Sequence, residues 1–208
     1  MIGNFFGVLL LAHLGKSYIA ASALAFITFI AITTTTSTMF YGVSILVSHA
    51  HGEGQFTKAG GVFKNALIVA VLFGIPGALL LWHAGDILRF FGQDLKLIVL
   101  TIAYFHYAAI GVIPVLVASS MSQFYVGIGR PKVFLVVNLI KLPFTLLIMT
   151  ITILGYFGHR QLGLGGITYA TTSMQIITVV IMFIFIYFDR QLKPYQLFSS
   201  DYFVNGAI

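Results

Sequence analysis

Residues 18–52 read YIAASALAFITFIAITTTTSTMFYGVSILVSHAHG and contain no aspartate, glutamate, lysine or arginine. About 20 apolar residues in a helix already cross a roughly 30 Å hydrocarbon core, so a charge-free run of this length predicts a spanning helix that tilts or kinks. Working outward from it, apolar runs of spanning length recur near 62–82, 97–122, 133–157 and 165–188, with the first near 18–48. Five full crossings are expected. A closed β-barrel is the other way to satisfy backbone groups in lipid, but it needs short segments of alternating polarity, and none of these runs alternates. The fold class is therefore all-α, a polytopic helical membrane protein.

Composition agrees. The 208 residues are 59% hydrophobic and 8% charged, with a mean hydropathy of +1.02, against a charged share of about 25% in soluble domains. A water-soluble globule is excluded. The net charge of +6 belongs to membrane-flanking segments rather than to a nucleic-acid-binding face. The absence of cysteine removes disulfides, thiolate metal sites and cysteine nucleophiles together.

Met1–Leu14 is apolar but reaches only about two-thirds of the way across the core at about 1.5 Å per residue. Without the basic start of a signal peptide, it reads as the second half of a helix, a shortened first helix over 1–14. Connectors rich in turn formers are expected at His49–Gln55, Gly127–Lys132 and Gly158–Gly166, and a short interfacial amphipathic turn of helix at Gly85–Gly92. If the chain begins on the cytoplasmic side, Lys58, Lys64, Arg130, Lys132, Arg190 and Lys193 lie inside, while Lys16, Arg89, Lys96 and Arg160 lie outside. The domain division is a transmembrane lobe over 1–188 and a polar cytoplasmic tail or connector over 189–208, with Ser199, Ser200 and Asp201 near its end.

Groups that carry enzymatic chemistry do not assemble. His49, His51 and Glu53 lack the i, i+4 pair of imidazoles that places two ligands on one helical face, so no metal site is expected. His13, His83 and His159 sit beside predicted interfaces, and His106 reads as a packed residue. The glycines form no nucleotide loop, so any transport would draw on an ion gradient. No catalytic residue is expected. Lys141, an ionisable side chain inside a predicted span and followed by Pro143 and Thr145, is the most informative local feature. It either borders a water-filled pathway, with Pro143 freeing carbonyls for ligands, or snorkels back to the headgroups. The tract Thr33–Thr38 likewise either returns its hydroxyls to its own backbone or lines a cavity.

Several segments, in order and spacing, carry a resemblance: Ala12-His13-Leu14-Gly15 followed by Ile19–Leu24, Gly42–Gly54, Gly111-Val112-Ile113-Pro114, Gln123–Pro131, and Leu162–Ile167 leading to Ala170-Thr171. Through them, residues 3–198 resemble the amino-terminal lobe of a multidrug and toxic compound extrusion (MATE) transporter of the bacterial norfloxacin-pump branch. The resemblance implies one six-helix lobe of a twelve-helix architecture in the bacterial inner membrane. It implies export of amphipathic, often cationic small molecules in exchange for sodium ions or protons, with no other cofactor. The family's acidic residue in the first helix would fall at Gly7, which cannot titrate or ligate through a side chain. Two amide residues flanking a proline in the fifth helix would fall at Lys141 and Thr145 around Pro143, and an ammonium at 141 would repel a bound sodium ion. Either the usual coupling site is absent or Lys141 stands in for the cation. Half of the family's architecture is missing, so the chain reads as a partial copy that pairs with a second lobe or a second copy of itself. The alternatives are a lipid-linked oligosaccharide flippase of the same superfamily, a non-transporting membrane interaction protein, or a gene remnant.

Overall fold

The computed structural model describes residues 2–155 and 161–197. His159 and Arg160 in the expected third connector, and Ser199, Ser200 and Asp201 in the tail, lie outside the described residues. Eight α-helices and a terminal 3₁₀ turn are present among the described residues, and no strand. They are α1 (Ile2–Ala12), α2 (Lys16–Thr38), α3 (Tyr41–Gly52), α4 (Phe56–Trp82), α5 (Ala84–Phe90), α6 (Leu95–Gly127), α7 (Pro131–Leu154) and α8 (Gly165–Phe188), with the turn over Arg190–Tyr195. Five segments are long and apolar enough to cross a membrane, the first being α2 and α3 together.

The long first span breaks at Met39-Phe40 without a proline. Thr33, Thr35, Thr36 and Thr38 each donate a hydroxyl hydrogen to a carbonyl three or four residues back, at 2.7–2.9 Å. Such back-bonding competes with the helical ladder and bends helices. α6 is the central post of the bundle, touching α2, α3, α4, α5, α7 and α8, while α1 leans on α2 and α7. Leu72, Leu139, Leu147 and Phe188 are among the large apolar side chains that point outward, as expected of a lipid-facing surface.

The first expected connector divides into a helix end and a turn: His49, Ala50 and His51 belong to α3. The helix persists because His49 Nδ1 reaches Glu53 Oε1 at 3.2 Å one turn on, and it ends where Gly54 adopts a positive φ. α4 begins at Phe56, which places Lys58 and Lys64 inside it. The start of the expected tail or connector folds back onto the bundle. Asp189 caps the 3₁₀ turn through Gln191 N–H at 2.9 Å, Leu192 and Tyr195 are buried, and the turn lies against α4. The Tyr195 hydroxyl and His51 Nδ1 share a hydrogen bond at 2.8 Å, and burial pushes that phenol above its ordinary range, opposed by Arg130. Arg130 Nη1 meets Asp189 Oδ2 at 3.4 Å, joining the start of α7 to the end of α8.

This packing demands a glycine at position 60. A Cβ there would lie 1.9 Å from the Tyr195 carbonyl oxygen. Gly60→Ala is therefore expected to displace the terminal turn and speed tryptic cleavage after Arg190 by about tenfold, with Tyr195→Ala doing the same. An unchanged cleavage rate in both variants would refute the docking.

Candidate functional site: a polar cavity at mid-membrane depth

A cavity of about 440 Å³ opens among α2, α6, α7 and α8. α8 contributes Thr168, Thr171, Thr172 and Gln175, spaced three or four apart and so on one face. From α2 come Phe29, Thr33, Thr34, Ser37 and Thr38, and from α6 come Tyr104, Ala108, Gly111 and Val115. α7 supplies Lys141 alone.

Most wall hydroxyls are already donating. Thr33 donates to Phe29 O at 2.7 Å, Thr38 to Thr35 O at 2.9 Å and Thr171 to Ile167 O at 3.0 Å. Two bonds cross between helices: Thr168 to Tyr104 O and Thr172 to Tyr107 O, both at 3.0 Å. These fasten α8 to α6 along the cavity wall, and a hydroxyl oxygen so engaged still offers lone pairs. Gly111 permits the second crossing, because a Cβ there would lie 2.5 Å from Thr172 Oγ1. The threonine tract thus does both things its sequence allows. It satisfies itself on the backbone, and Thr33, Thr34 and Thr38 also line the cavity.

Lys141 lies ten residues into α7, roughly 15 Å along its axis and near the middle of a bilayer core. Its ammonium donates to Gln175 Oε1 across the cavity, so the side chain turns inward to α8. The structure does not gather the other candidate residues at this cavity. Pro143 sits inside α7 on its exposed side, and Thr145 is buried with its hydroxyl donated to Lys141 O at 2.9 Å. Gly7 is a packing point, where a Cβ would meet Ile167 Cδ1 at 2.9 Å and Met149 Sδ at 3.2 Å. Gln175 and the α8 threonines escaped the sequence reading, although their three-and-four spacing was there to be seen.

Elsewhere, His106 stacks on Trp82 at 4.4 Å, His83 Nδ1 pairs with Asp86 Oδ2 at 3.5 Å, and His51 turns to Tyr195 rather than to His49 and Glu53. Among the described residues, no group of three His, Cys, Asp or Glu side chains is arranged to hold a metal ion. A second, apolar cleft of about 440 Å³ lies between α1 and α2, lined by Phe5, Val8, Ile19 and Phe26 among others, and shares Tyr104 and Ile167 with the polar cavity.

A family model described as MatE matches residues 1–152. A "Probable multidrug resistance protein NorM" of Synechocystis sp. is 26% identical over 205 residues, covering 99% of this chain and 44% of the relative. A protein of the same description from Rhizobium meliloti is 28% identical over 195 residues, covering 94% and 42%. Among solved structures, the eukaryotic MATE transporter AtDTX14 superposes with a TM-score of 0.85 at 18% identity, covering 97% of this chain and 45% of that one. The outward-facing conformation of a multidrug resistance MATE family transporter of the MOP superfamily gives 0.83 at 19% identity, covering 97% and 44%. The chain spans less than half the length of these curated relatives.

The crowding at Gly7 has a direct test. Gly7→Ala requires Ile167 to shift by a few tenths of an ångström and should lower the thermal unfolding midpoint slightly. Gly7→Asp sets a carboxylate against Ile167 and Met149, should cost about 2 kcal/mol or more of stability, and so should lower the midpoint well beyond the alanine variant. Equal midpoints for the two variants would contradict this packing.

Proposed function

The chain belongs to the MatE family, and we propose that it forms the amino-terminal lobe of an efflux transporter that moves amphipathic small molecules across the plasma membrane. It is a multi-pass membrane protein and not an enzyme. The observation that carries the proposal is the polar cavity enclosed by α2, α6, α7 and α8, which holds Lys141 at mid-depth. A pathway through lipid needs such a site, with groups that take over from hydration, near the bilayer centre.

In this reading the lobe works against a second bundle, either a second lobe or a second copy of this chain, because alternating access requires one bundle to move against another. Sodium ions or protons supply the driving force. The lobe's own share of coupling differs from what the resemblance implies. Position 7 carries no acid, Thr145 donates its hydroxyl within α7, and Lys141 repels a free cation. We assign to the Lys141 ammonium the part of a fixed charge standing where a coupling ion would otherwise bind.

The test uses membrane vesicles containing this chain, alone and fused to the carboxy-terminal half of the Synechocystis relative. Uptake of ethidium, norfloxacin and fluorescein is followed under an imposed sodium or proton gradient. Gradient-driven uptake of at least one compound by the fused form is expected, and Lys141→Ala is expected to abolish or uncouple it. Ion-coupled uptake unaffected by Lys141→Ala would overturn the fixed-charge role, and no gradient-driven uptake in either form would overturn the transporter reading.

A further inference from the structure

Whatever enters the polar cavity meets a single formal charge. The acidic residues among the described residues are Glu53 after α3, Asp86 in the short α5, Asp94 at the start of α6 and Asp189 at the end of α8. None of them borders the cavity. The charge of Lys141 is therefore not compensated by a carboxylate in the cavity wall.

The hydrogen-bonding groups next to that charge include further donors. An ammonium has three N–H donors and no acceptor, and one of the three is engaged by Gln175 Oε1. Gln175, a lining residue of the same cavity, also carries an amide nitrogen with two N–H donors. The neighbouring hydroxyls of Thr168, Thr171 and Thr172 donate to backbone carbonyls. The wall also carries the hydroxyls of Thr34, Ser37, Tyr41 and Tyr104, and with Lys141 as its one cation and no carboxylate among the described residues the cavity suits an oxyanion. A cationic head would meet an uncompensated positive charge instead. Phe29, Tyr104, Val115 and Ile167 supply an apolar wall in the same cavity. One lysine balances one negative charge, whereas a pyrophosphate calls for several cationic side chains.

We propose that this cavity binds a small amphipathic monoanion, its carboxylate paired with Lys141 Nζ and Gln175 Nε2 and its apolar body lying against Phe29, Tyr104 and Ile167. The proposal rests on the transporter reading for its purpose, since it names the charge class of the cargo. Its test measures binding alone, so efflux of another compound can stand if this fails, and binding can stand if no efflux is found.

A matched pair of probes separates charge from shape: 4-phenylbutyrate and 4-phenylbutylammonium share one body and carry opposite heads. Equilibrium dialysis of the radiolabelled probes at neutral pH uses the full chain in phosphatidylcholine nanodiscs, with empty nanodiscs as the blank. Saturable binding of the acid is expected, with none of the ammonium compound above the blank. Lys141→Gln should weaken acid binding by about tenfold or more, while Lys141→Arg, which keeps the charge, should stay within about threefold of the unmodified chain. The proposal is overturned if the ammonium compound binds as tightly as the acid, if Lys141→Gln leaves acid binding unchanged, or if the acid shows no saturable binding. The acid and ammonium comparison needs only the unmodified chain, so it decides the matter even if a Lys141 variant fails to fold.

Discussion

Inside a hydrocarbon core every polar atom needs a partner within the protein, because lipid offers none. That constraint shapes both the bundle and its cavity. Backbone groups are satisfied by helices, and most of the threonine hydroxyls by backbone carbonyls, while the buried Tyr125 hydroxyl has no partner among the described residues. Where a hydroxyl reaches another helix, as Thr168 and Thr172 of α8 reach Tyr104 and Tyr107 of α6, the same bond that satisfies a polar atom also sets the spacing of two cavity walls. Thr152 does this again, donating to Gly166 O at 3.1 Å and tying α7 to the start of α8. Apolar packing against lipid carries little orientational information, so these bonds and close-packed glycine contacts fix which helix faces which.

This explains what the sequence could and could not reveal. Long apolar runs are a direct image of membrane thickness, so the spanning segments can be read from one chain. Their ends are less legible, because hydropathy falls off before the helix does. α3 carries His49 and His51 to Gly52, and α6 continues to Gly127, since their end turns are held by backbone bonds and side-chain pairs rather than by hydrophobicity. The docking of the tail was illegible for a related reason. Arg190–Tyr195 is polar in composition, and its attachment depends on a glycine in α4 more than a hundred residues earlier.

The site was half legible. Lys141 stands out because an ionisable residue in an apolar run is conspicuous, but sequence alone left open whether its long stem returns to the headgroups. The answer lay on another helix: Gln175 offers an oxygen at the same depth, reached from the opposite end of the bundle because α7 and α8 run antiparallel. A glutamine in an apolar run attracts less notice than a lysine, and only with Thr168, Thr171 and Thr172 does it define a polar face. Gly7 shows the reverse case. Its position matters through absence of volume, a property visible only once Ile167 and Met149 are seen against it.

The two departures from the pattern that the resemblance implies both bear on cation binding. Position 7 offers no side chain that could titrate or ligate, and a fixed ammonium at 141 makes a mobile cation unfavourable beside it. A carboxylate at position 7 would lie against the apolar Ile167 and Met149 side chains, and glycine there lets α1 close against α7 and α8 instead. Close packing at Gly7 and an ammonium at Lys141 thus leave the cavity with its formal charge fixed on the chain itself among the described residues.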